Sequence, residues 1–99
     1  MIDQDFVRGF LKLYILWKSG RGWTYGSEIL EEMRALGFKV SPGTLYPTLR
    51  LLMEERDIRQ EKRTVSGRVR KYYRATAKGR EELKEIRPRL RRLVAQVLG

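Results

Sequence analysis

Two segments rich in Thr, Val and Tyr, residues 58–65 and 69–75, are joined through a turn centred on Ser66-Gly67. A two-residue connection with a glycine supplies the positive backbone φ that a tight hairpin needs, so this pattern predicts a β-hairpin. An isolated two-stranded hairpin is only marginally stable in water, so it must pack against other secondary-structure elements. Because the rest of the chain carries helical patterns, we expect a mostly α fold with one small β-hairpin.

The first helix is predicted from Asp5 to about Lys18, followed by a loop at residues 19–22. Its apolar residues form one helical stripe: Phe6, Phe10, Leu13, Tyr14 and Trp17. Others widen the apolar surface beyond that stripe: Val7, Leu11, Ile15 and Leu16. A chain of 99 residues can hardly bury both sides of such a helix by itself. This favours a partner subunit that covers one of the two sides.

A second helix is predicted to begin with Thr24 as its N-cap and to end at Gly37. The residues expected to point inward from it are Ile29, Leu30, Met33 and Leu36. A short turn, residues 38–40, leads to Ser41-Pro42, where the serine oxygen can cap a third helix and proline fits the first helical position.

The third helix should run to about Arg56, with one apolar side and one open side. The inward residues at helical spacing are Leu45, Leu49 and Leu52. The outward ones are Gly43, Pro47, Arg50 and Glu54, with Thr44 and Tyr46 on the flanks. Pro47 removes a backbone hydrogen bond, so some bending of the first turns is expected.

The last helix is predicted to start at Thr76 as N-cap and to carry a seam of apolar residues spaced by three and four: Leu83, Ile86, Leu90, Leu93 and Val97. Only two heptads fit and Pro88 interrupts them, which favours a kinked helix that packs on a partner subunit. The alternatives are a helix packed on its own domain and an amphipathic membrane anchor over residues 87–98.

The positive charge is confined to the second half of the chain. The first 55 residues hold seven cations and seven acids, so the whole net charge of +10 lies in the last 44. Between positions 56 and 74 the cations are Arg56, Arg59, Lys62, Arg63, Arg68, Arg70, Lys71 and Arg74. This asymmetry indicates a surface for a polyanion, and the excess of Arg suits phosphate; a merely solvated face is the alternative.

The composition makes an enzyme or a metal site improbable. The chain has neither Cys nor His, so it lacks the usual general base, thiolate nucleophile and zinc ligands. We expect no catalytic residue, no metal and no cofactor. The acidic start, Met1 to Asp5, and a longest apolar run broken by Lys12 predict a cytoplasmic protein without a signal peptide or membrane span.

Three helices followed by a basic hairpin is the order of a winged helix-turn-helix, in which the third helix enters the major groove of DNA. We therefore expect residues 1–75 to bind double-stranded DNA, and residues 76–99 to form an added C-terminal dimerisation helix within the same compact unit. Arg50 is the best candidate for reading a base, although it could equally hold a phosphate. Candidate dimerisation residues are Phe6, Phe10, Leu83, Ile86, Leu90, Leu93 and Val97.

Three blocks of the sequence, which cover residues 25–29, 41–49 and 70–80, resemble the signature blocks of PadR-type transcriptional regulators of the smaller type. The resemblance implies a homodimeric repressor in which Tyr25 and Tyr46 help to hold the DNA backbone. Together with the hairpin cations, the DNA-binding candidates are Tyr25, Ser41, Gly43, Thr44, Tyr46, Pro47, Arg50, Lys62, Arg63, Arg68, Arg70 and Lys71. Asp57 stands where the family commonly has a glycine that closes the helix, and we expect it to tolerate the left-handed conformation.

The family also implies relief by a small hydrophobic or aromatic effector, for which Trp17 and Trp23 could line a pocket. The expected function is sequence-specific regulation at a pseudo-palindromic operator. Two alternatives stay open: a non-specific nucleic-acid or chromatin protein, and a winged-helix module that recruits an acidic protein partner.

Overall fold

A computed structural model describes residues 3–99 as four helices and a three-stranded antiparallel sheet. In chain order the elements are α1 (Gln4–Arg21), β1 (Thr24–Tyr25), α2 (Gly26–Ala35), α3 (Pro42–Glu54), β2 (Ile58–Val65), β3 (Arg68–Ala75) and α4 (Ala77–Leu98). The strands lie in the order β1-β3-β2. The predicted class, mostly α with a small hairpin, is confirmed, but the short strand β1 was not predicted.

Helix α1 is longer than the sequence suggested. Asp3 caps it by accepting a hydrogen bond from the Phe6 amide at 3.0 Å. The expected loop at residues 19–22 is wrong, because the helix continues to Arg21. The buried Ser19 hydroxyl donates to the Ile15 carbonyl at 2.5 Å, which satisfies its hydroxyl without breaking the helix.

The buried face of α1 is not the aromatic stripe. The core side consists of Val7, Leu11, Ile15 and Leu16. Phe6 remains 55 % exposed and Trp17 37 % exposed, so the aromatic stripe forms a second, largely open face. The chain on its own therefore buries only one side of this helix, as its small size suggested.

Thr24 does not cap α2. It lies in β1, opposite Tyr73 of β3, and its buried hydroxyl donates to Glu28 Oε1 at 2.8 Å. The helix begins at Gly26, with Tyr25 as an N-cap that makes no side-chain capping bond. The two residues of β1 give the hairpin a third strand and tie it to the helical part.

The predicted end of α2 at Gly37 is confirmed. Gly37 has a φ of 92°, and the Phe38 amide donates to the Met33 carbonyl at 3.0 Å, while the Gly37 amide donates to Arg34. This is a Schellman motif, for which glycine is the preferred residue. Leu36, expected to point inward, is 60 % exposed, because it falls at the helix end beyond the core.

Helix α3 ends at Glu54, two residues before the expected limit. Its left-handed residue is Arg56, with a φ of 62°, and the Asp57 amide donates to the Leu52 carbonyl at 2.8 Å. The expectation that Asp57 takes the left-handed position is therefore wrong. The hydrogen bonds that cap the end of α3 place the left-handed residue one position earlier than expected, and Asp57 is buried instead.

The hairpin forms as predicted, and we call β2, β3 and their turn the wing. Both Ser66, with a φ of 53°, and Gly67, with a φ of 78°, have positive φ, as a type I′ turn requires. β3 begins at Arg68, one residue earlier than expected. One face of the wing packs on the core through Ile58, Tyr73 and Ala75.

Helix α4 begins as predicted, since Thr76 Oγ1 accepts a hydrogen bond from the Gly79 amide at 3.1 Å. Pro88 lies inside a continuous helix. The first half packs on the core through Leu83, whereas Val97 near the end is 72 % exposed. None of the helices within residues 3–99 has both the length and the apolar character needed to cross a membrane.

Candidate DNA-binding surface

Helix α3 is held in place by its apolar side, which leaves its opposite side open. Leu45 and Leu49 are fully buried and Leu52 is 2 % exposed. On the open side Tyr46 is 44 % exposed and Arg50 is exposed. A helix anchored on one face presents the other as a rigid ridge, which is the geometry that a DNA-reading helix requires.

The start of α3 differs from the expected cap. Ser41 is the N-cap residue, but its side chain makes no capping bond to the backbone. Its hydroxyl lies 3.5 Å from Thr44 Oγ1, and its carbonyl accepts from the Thr44 and Leu45 amides. Pro42 occupies the first turn as predicted, and Pro47 leaves the outward Gly43 carbonyl without its usual helical donor.

One groove joins α3 to the wing, and we call it the tyrosine groove. It encloses about 360 Å³. Its lining residues are Tyr25, Gly26, Ser27, Tyr46, Val69, Arg70, Lys71 and Tyr73. Four predicted DNA-binding residues, Tyr25, Tyr46, Arg70 and Lys71, are thus brought together although they come from three parts of the chain.

Gly26 allows Tyr46 to reach the start of α2. A Cβ atom at position 26 would lie 2.6 Å from the Tyr46 hydroxyl oxygen and 3.0 Å from Cζ, closer than real Cβ contacts allow. The glycine therefore sets the position of the Tyr46 ring in the tyrosine groove. The sequence gives no spacing signal for this contact, because the two residues are 20 positions apart.

The floor of the tyrosine groove stays uncharged. Burial, with a smaller contribution from nearby Tyr46, raises the pKa of Tyr73 above its usual value. Tyr73 therefore remains a neutral phenol at physiological pH. With Arg70 and Lys71 on the rim, the groove presents positive charge and hydroxyl groups, which suits a phosphate oxygen.

A second groove, of about 530 Å³, runs between α1 and α3. Its lining residues are Asp5, Arg8, Gly9, Lys12, Gly43, Thr44, Pro47, Thr48 and Leu51. It brings the predicted residues Gly43, Thr44 and Pro47 beside two cations that sequence reasoning missed, Arg8 and Lys12. Their spacing of four along one helix was the available signal, since it places both on the same face.

Two contacts hold side chains of this second groove in place. The Thr44 hydroxyl donates to Gln4 Oε1 at 3.4 Å, and Arg8 is paired with Asp5 at 3.0 Å. The Arg8–Asp5 pair is well exposed and contributes little to stability. Arg8 is thus available to exchange its carboxylate for another anion.

The wing distributes its cations over two faces. In the register of β2 and β3, Lys62 lies opposite Lys71, and Arg63 lies opposite Arg70. Successive strand residues point to opposite faces, so the lysine pair and the arginine pair lie on different sides. Arg68, also predicted to bind DNA, is exposed beside the turn.

The arginine side of the wing is organised around aromatic rings that sequence reasoning did not place there. The guanidinium of Arg63 lies 4.8 Å from the Trp23 ring centroid and 4.8 Å from that of Tyr72. Arg59 and Arg74 lie 5.2 and 5.8 Å from the Trp23 centroid. Trp23 therefore packs against the wing and does not line either of the described grooves that include Trp17, so the expectation that the two share an effector pocket finds no support there.

An apolar groove of about 320 Å³ lies apart from these cationic surfaces. Its lining residues are Phe10, Leu13, Tyr14, Trp17, Met33, Leu36, Phe38, Leu83, Arg87 and Leu90. The Tyr14 hydroxyl donates to the Glu32 carboxylate at its edge. Burial and that bond raise the pKa of Tyr14 to about 12, so the phenol stays protonated.

Comparisons with known proteins agree with this architecture. The family described as Transcriptional regulator PadR-like matches residues 13–85. The transcriptional regulator Rv3488 of Mycobacterium tuberculosis is 41 % identical over 96 residues, which is 97 % of this chain and 90 % of that protein.

Solved structures show the same fold. A PadR-like transcription factor from Bacteroides fragilis superposes with a TM-score of 0.80 at 29 % identity, over 94 % of this chain and 91 % of the other. A Streptococcus transcriptional regulator gives a TM-score of 0.82 at 28 % identity, over 98 % and 97 % of the two chains.

The fold and the cationic surface around α3 define a winged helix-turn-helix DNA-binding protein. More particularly, the chain belongs to the PadR-like family of transcriptional regulators. Members of this family are DNA-binding regulators and not enzymes, which agrees with the composition.

Proposed function

We propose that the protein is a homodimeric repressor that acts in the cytoplasm at a pseudo-palindromic operator. The observation that carries the proposal is the open side of α3, which lies between two grooves that both have cationic rims. One α3 per subunit would enter the major groove, with the two helices about one helical turn, roughly 34 Å, apart. Occupancy of the operator would then exclude competing proteins from the same DNA.

The residues of this surface divide into two roles. Arg50, exposed on the open side of α3, reads a base, and Thr44 and Tyr46 flank it. Tyr46 and the remaining residues position the duplex through its backbone: Tyr25, Ser41, Gly43, Tyr46, Pro47, Lys62, Arg63, Arg68, Arg70 and Lys71. Arg8 and Lys12 join that second set because they line the groove beside α3.

The proposed dimer interface is built from α1 and α4. Phe6 of α1 and Leu93 of α4 are 55 % and 59 % exposed, which is costly for a chain that stays monomeric. We assign to the interface Phe6, Phe10, Leu83, Ile86, Leu90, Leu93 and Val97. In this arrangement residues 1–75 bind DNA and residues 76–99 join the subunits, while Leu83 also anchors α4 to the core.

The apolar groove supports an effector role. Its aromatic and aliphatic lining, with Arg87 at the rim, suits a small hydrophobic or aromatic molecule. Because Phe10 and Leu90 belong both to this groove and to the proposed interface, an occupant would alter how the subunits meet. That is the route by which we expect it to weaken operator binding.

The test is fluorescence anisotropy of the purified protein on its own upstream DNA and on a scrambled duplex, each at several salt concentrations. A preference of about a thousandfold that persists as salt rises is the expected result. Equal affinities that fall together with salt would instead indicate a non-specific nucleic-acid binder. Absence of binding at low salt would favour a protein-recruiting module.

A further inference from the structure

The groove between α1 and α3, which we call the α1–α3 groove, has two chemically different walls. The α1 wall carries the cations Arg8 and Lys12, and its acid Asp5 is paired with Arg8 at 3.0 Å. The α3 wall is formed by uncharged residues: Gly43, Thr44, Pro47, Thr48 and Leu51. A ligand that fills this groove must therefore offer negative charge to one wall and a neutral surface to the other.

The hydroxyl groups of the α3 wall are already used inside the protein. Thr48 is buried, and its hydroxyl donates to the Thr44 carbonyl at 2.8 Å. The Thr44 hydroxyl donates to Gln4 Oε1 at 3.4 Å and accepts from the Ser41 hydroxyl at 3.5 Å. The side chains of this wall therefore offer a ligand mainly carbon atoms.

Leu51 and Pro47 provide the exposed part of that carbon surface. They are four positions apart, so they lie on the same side of α3, about 6 Å from each other along its axis. Single exposed apolar residues are common on protein surfaces and need no explanation. Two adjoining ones on one wall of a groove form a continuous apolar strip, which is a surface that can recognise an apolar group.

The fold explains neither Gly43 nor Pro47. A Cβ atom at position 43 would meet only Ser41 Oγ at 3.6 Å, an ordinary contact, and alanine favours a helix more than glycine does. Pro47 removes a backbone hydrogen bond, and its exposed ring lies outside the core. Residues that break a local rule without a gain in folding are expected at functional sites. Here they allow another molecule to approach the α3 backbone closely.

The major groove of DNA presents one group that matches this apolar strip. The groups by which guanine, cytosine and adenine are read there are hydrogen-bond donors and acceptors, whereas thymine also has a C5-methyl group. Apolar side chains read that methyl group by contact. The phosphates of the same strand would face Arg8 and Lys12 on the opposite wall.

The strip lies on a different part of the open side from Arg50. Successive residues of a helix point about 100° apart, so Arg50 is directed towards Tyr46 and Leu51 towards Thr44. Tyr46 lines the tyrosine groove, whereas Thr44 lines the α1–α3 groove. Leu51 and Arg50 would therefore meet different base pairs.

From these observations we infer that Leu51 is a specificity-determining residue, which reads the C5-methyl group of a thymine in each operator half-site. Pro47 extends the same contact. This assignment rests on the proposed function, since it needs α3 in the major groove. It adds Leu51 to the operator contacts and gives Pro47 a base contact beside its contact with the backbone.

The experiment removes methyl groups from the DNA and the leucine side chain from the protein. The probes are the operator duplex, the same duplex with deoxyuridine in place of every thymine, and a series in which one symmetric pair of thymines is replaced at a time. Deoxyuridine keeps the base pairing and lacks only the C5-methyl group. Affinities are measured by fluorescence anisotropy.

The test variant is Leu51→Ala. Its matched control is Val65→Ala in the wing, because Val65 is 39 % exposed against 37 % for Leu51 and lies outside the α1–α3 groove. Leu51→Met replaces the leucine by another apolar side chain of similar size and so keeps the contact.

Wild type should bind the fully substituted duplex at least about 15-fold more weakly, because a buried methyl group is worth about fourfold and each subunit loses at least one. One symmetric pair should account for most of this loss. Leu51→Ala should bind the operator more weakly and scrambled DNA as wild type does. Its response to that pair should be about twofold or less, whereas Val65→Ala and Leu51→Met should respond nearly as wild type does.

Three results would overturn this assignment: an unchanged wild-type affinity on substitution, an equal loss for wild type and Leu51→Ala, or a loss spread evenly over all thymines. The second result would mean that the methyl groups act through the shape of the duplex. Circular dichroism detects loss of folding, in which case Leu51→Gln, which keeps the length of the side chain but not its apolar end, replaces the alanine variant. Failure of the proposed function would look different, because wild type would then bind the operator and a scrambled duplex equally.

Discussion

Lys78 Nζ lies 2.8 Å from Asp57 Oδ1, and this ion pair joins the end of α3 to the start of α4. The Asp57 side chain is 2 % exposed, and Lys78 also donates to the Glu55 carbonyl at 2.9 Å. The hydrogen bonds to Asp57 and then Glu82 raise the pKa of Lys78, so it stays charged. The direction in which α4 leaves the DNA-binding part is set at this junction.

Gly79→Ala should disrupt this junction. A Cβ atom at position 79 would collide with the Asp57 backbone carbonyl, which cannot move without shifting the ion pair. We expect a loss of about 1–3 kcal/mol in the free energy of unfolding, measured by urea denaturation. The control is Gly9→Ala in α1, where nothing lies within 4 Å of the new atom. That change should be neutral or stabilising by about 0.5–1 kcal/mol, and equal losses in both variants would contradict the assignment.

Gly26→Ala should weaken DNA binding through Tyr46. The added methyl group displaces the Tyr46 hydroxyl, which lies at the end of a movable side chain, so folding should change little. We expect several-fold weaker binding to operator and scrambled DNA alike, measured by anisotropy, because Tyr46 is assigned to the backbone. In the background of Tyr46→Phe, which removes the hydroxyl, the same change should cost less. Additive losses would mean that Gly26 acts through another contact.

Much of the fold could be predicted because its signals are local. Gly37 and the Ser66-Gly67 turn each occupy positive φ, and Ser41-Pro42 marks the start of a helix. The errors came from effects of tertiary structure. The strand pairing that takes Thr24 away from α2 depends on β3, which lies about 50 residues further along.

The DNA-binding candidates were predicted from helical phase and charge, but how they group was not. Whether a cation belongs to the tyrosine groove or to the arginine side of the wing depends on strand register and on the position of Trp23. The proximity of Arg8 to Gly43 and Thr44 of α3, 35 and 36 positions further along, depends on the packing of the two helices. Neither the strand register nor the helix packing produces a periodic pattern that can be recognised in a single sequence.

Arg50→Ala and Arg68→Ala should separate base reading from backbone contact. Arg50→Ala should cost roughly 1–3 kcal/mol on the operator and relax the preference at one position. Arg68→Ala should weaken all DNA about equally and reduce the salt slope by about 2, because each of the two subunits loses one phosphate contact. Anisotropy titrations on operator and scrambled duplexes at several salt concentrations measure both effects. If the two variants behaved alike, this division of labour would be wrong.

Tyr14 should make stability depend on alkaline pH. Burial and its bond to Glu32 raise its pKa to about 12 from 10.0. Because the folded value is the higher one, the stabilisation is fully present below pH 10 and is lost as pH rises through about 12. Tyrosinate absorbance should show a late-titrating group that is missing in Tyr14→Phe. The difference in melting temperature between the two proteins should shrink over the same range, and a constant difference would exclude this role.

Leu90→Asp tests whether α4 joins two subunits. Leu90 lies near the middle of the apolar seam and lines the apolar groove, so a carboxylate there would have to be buried in the proposed interface. We expect monomers in analytical ultracentrifugation, with the helical circular dichroism signal retained because the core residues are untouched. The control is Arg89→Asp, an exposed neighbour outside the seam, which should leave the dimer intact. A dimeric Leu90→Asp protein would show that this face of α4 is not part of the interface. The proposal that an effector in the apolar groove acts on the interface through Leu90 would then also be wrong.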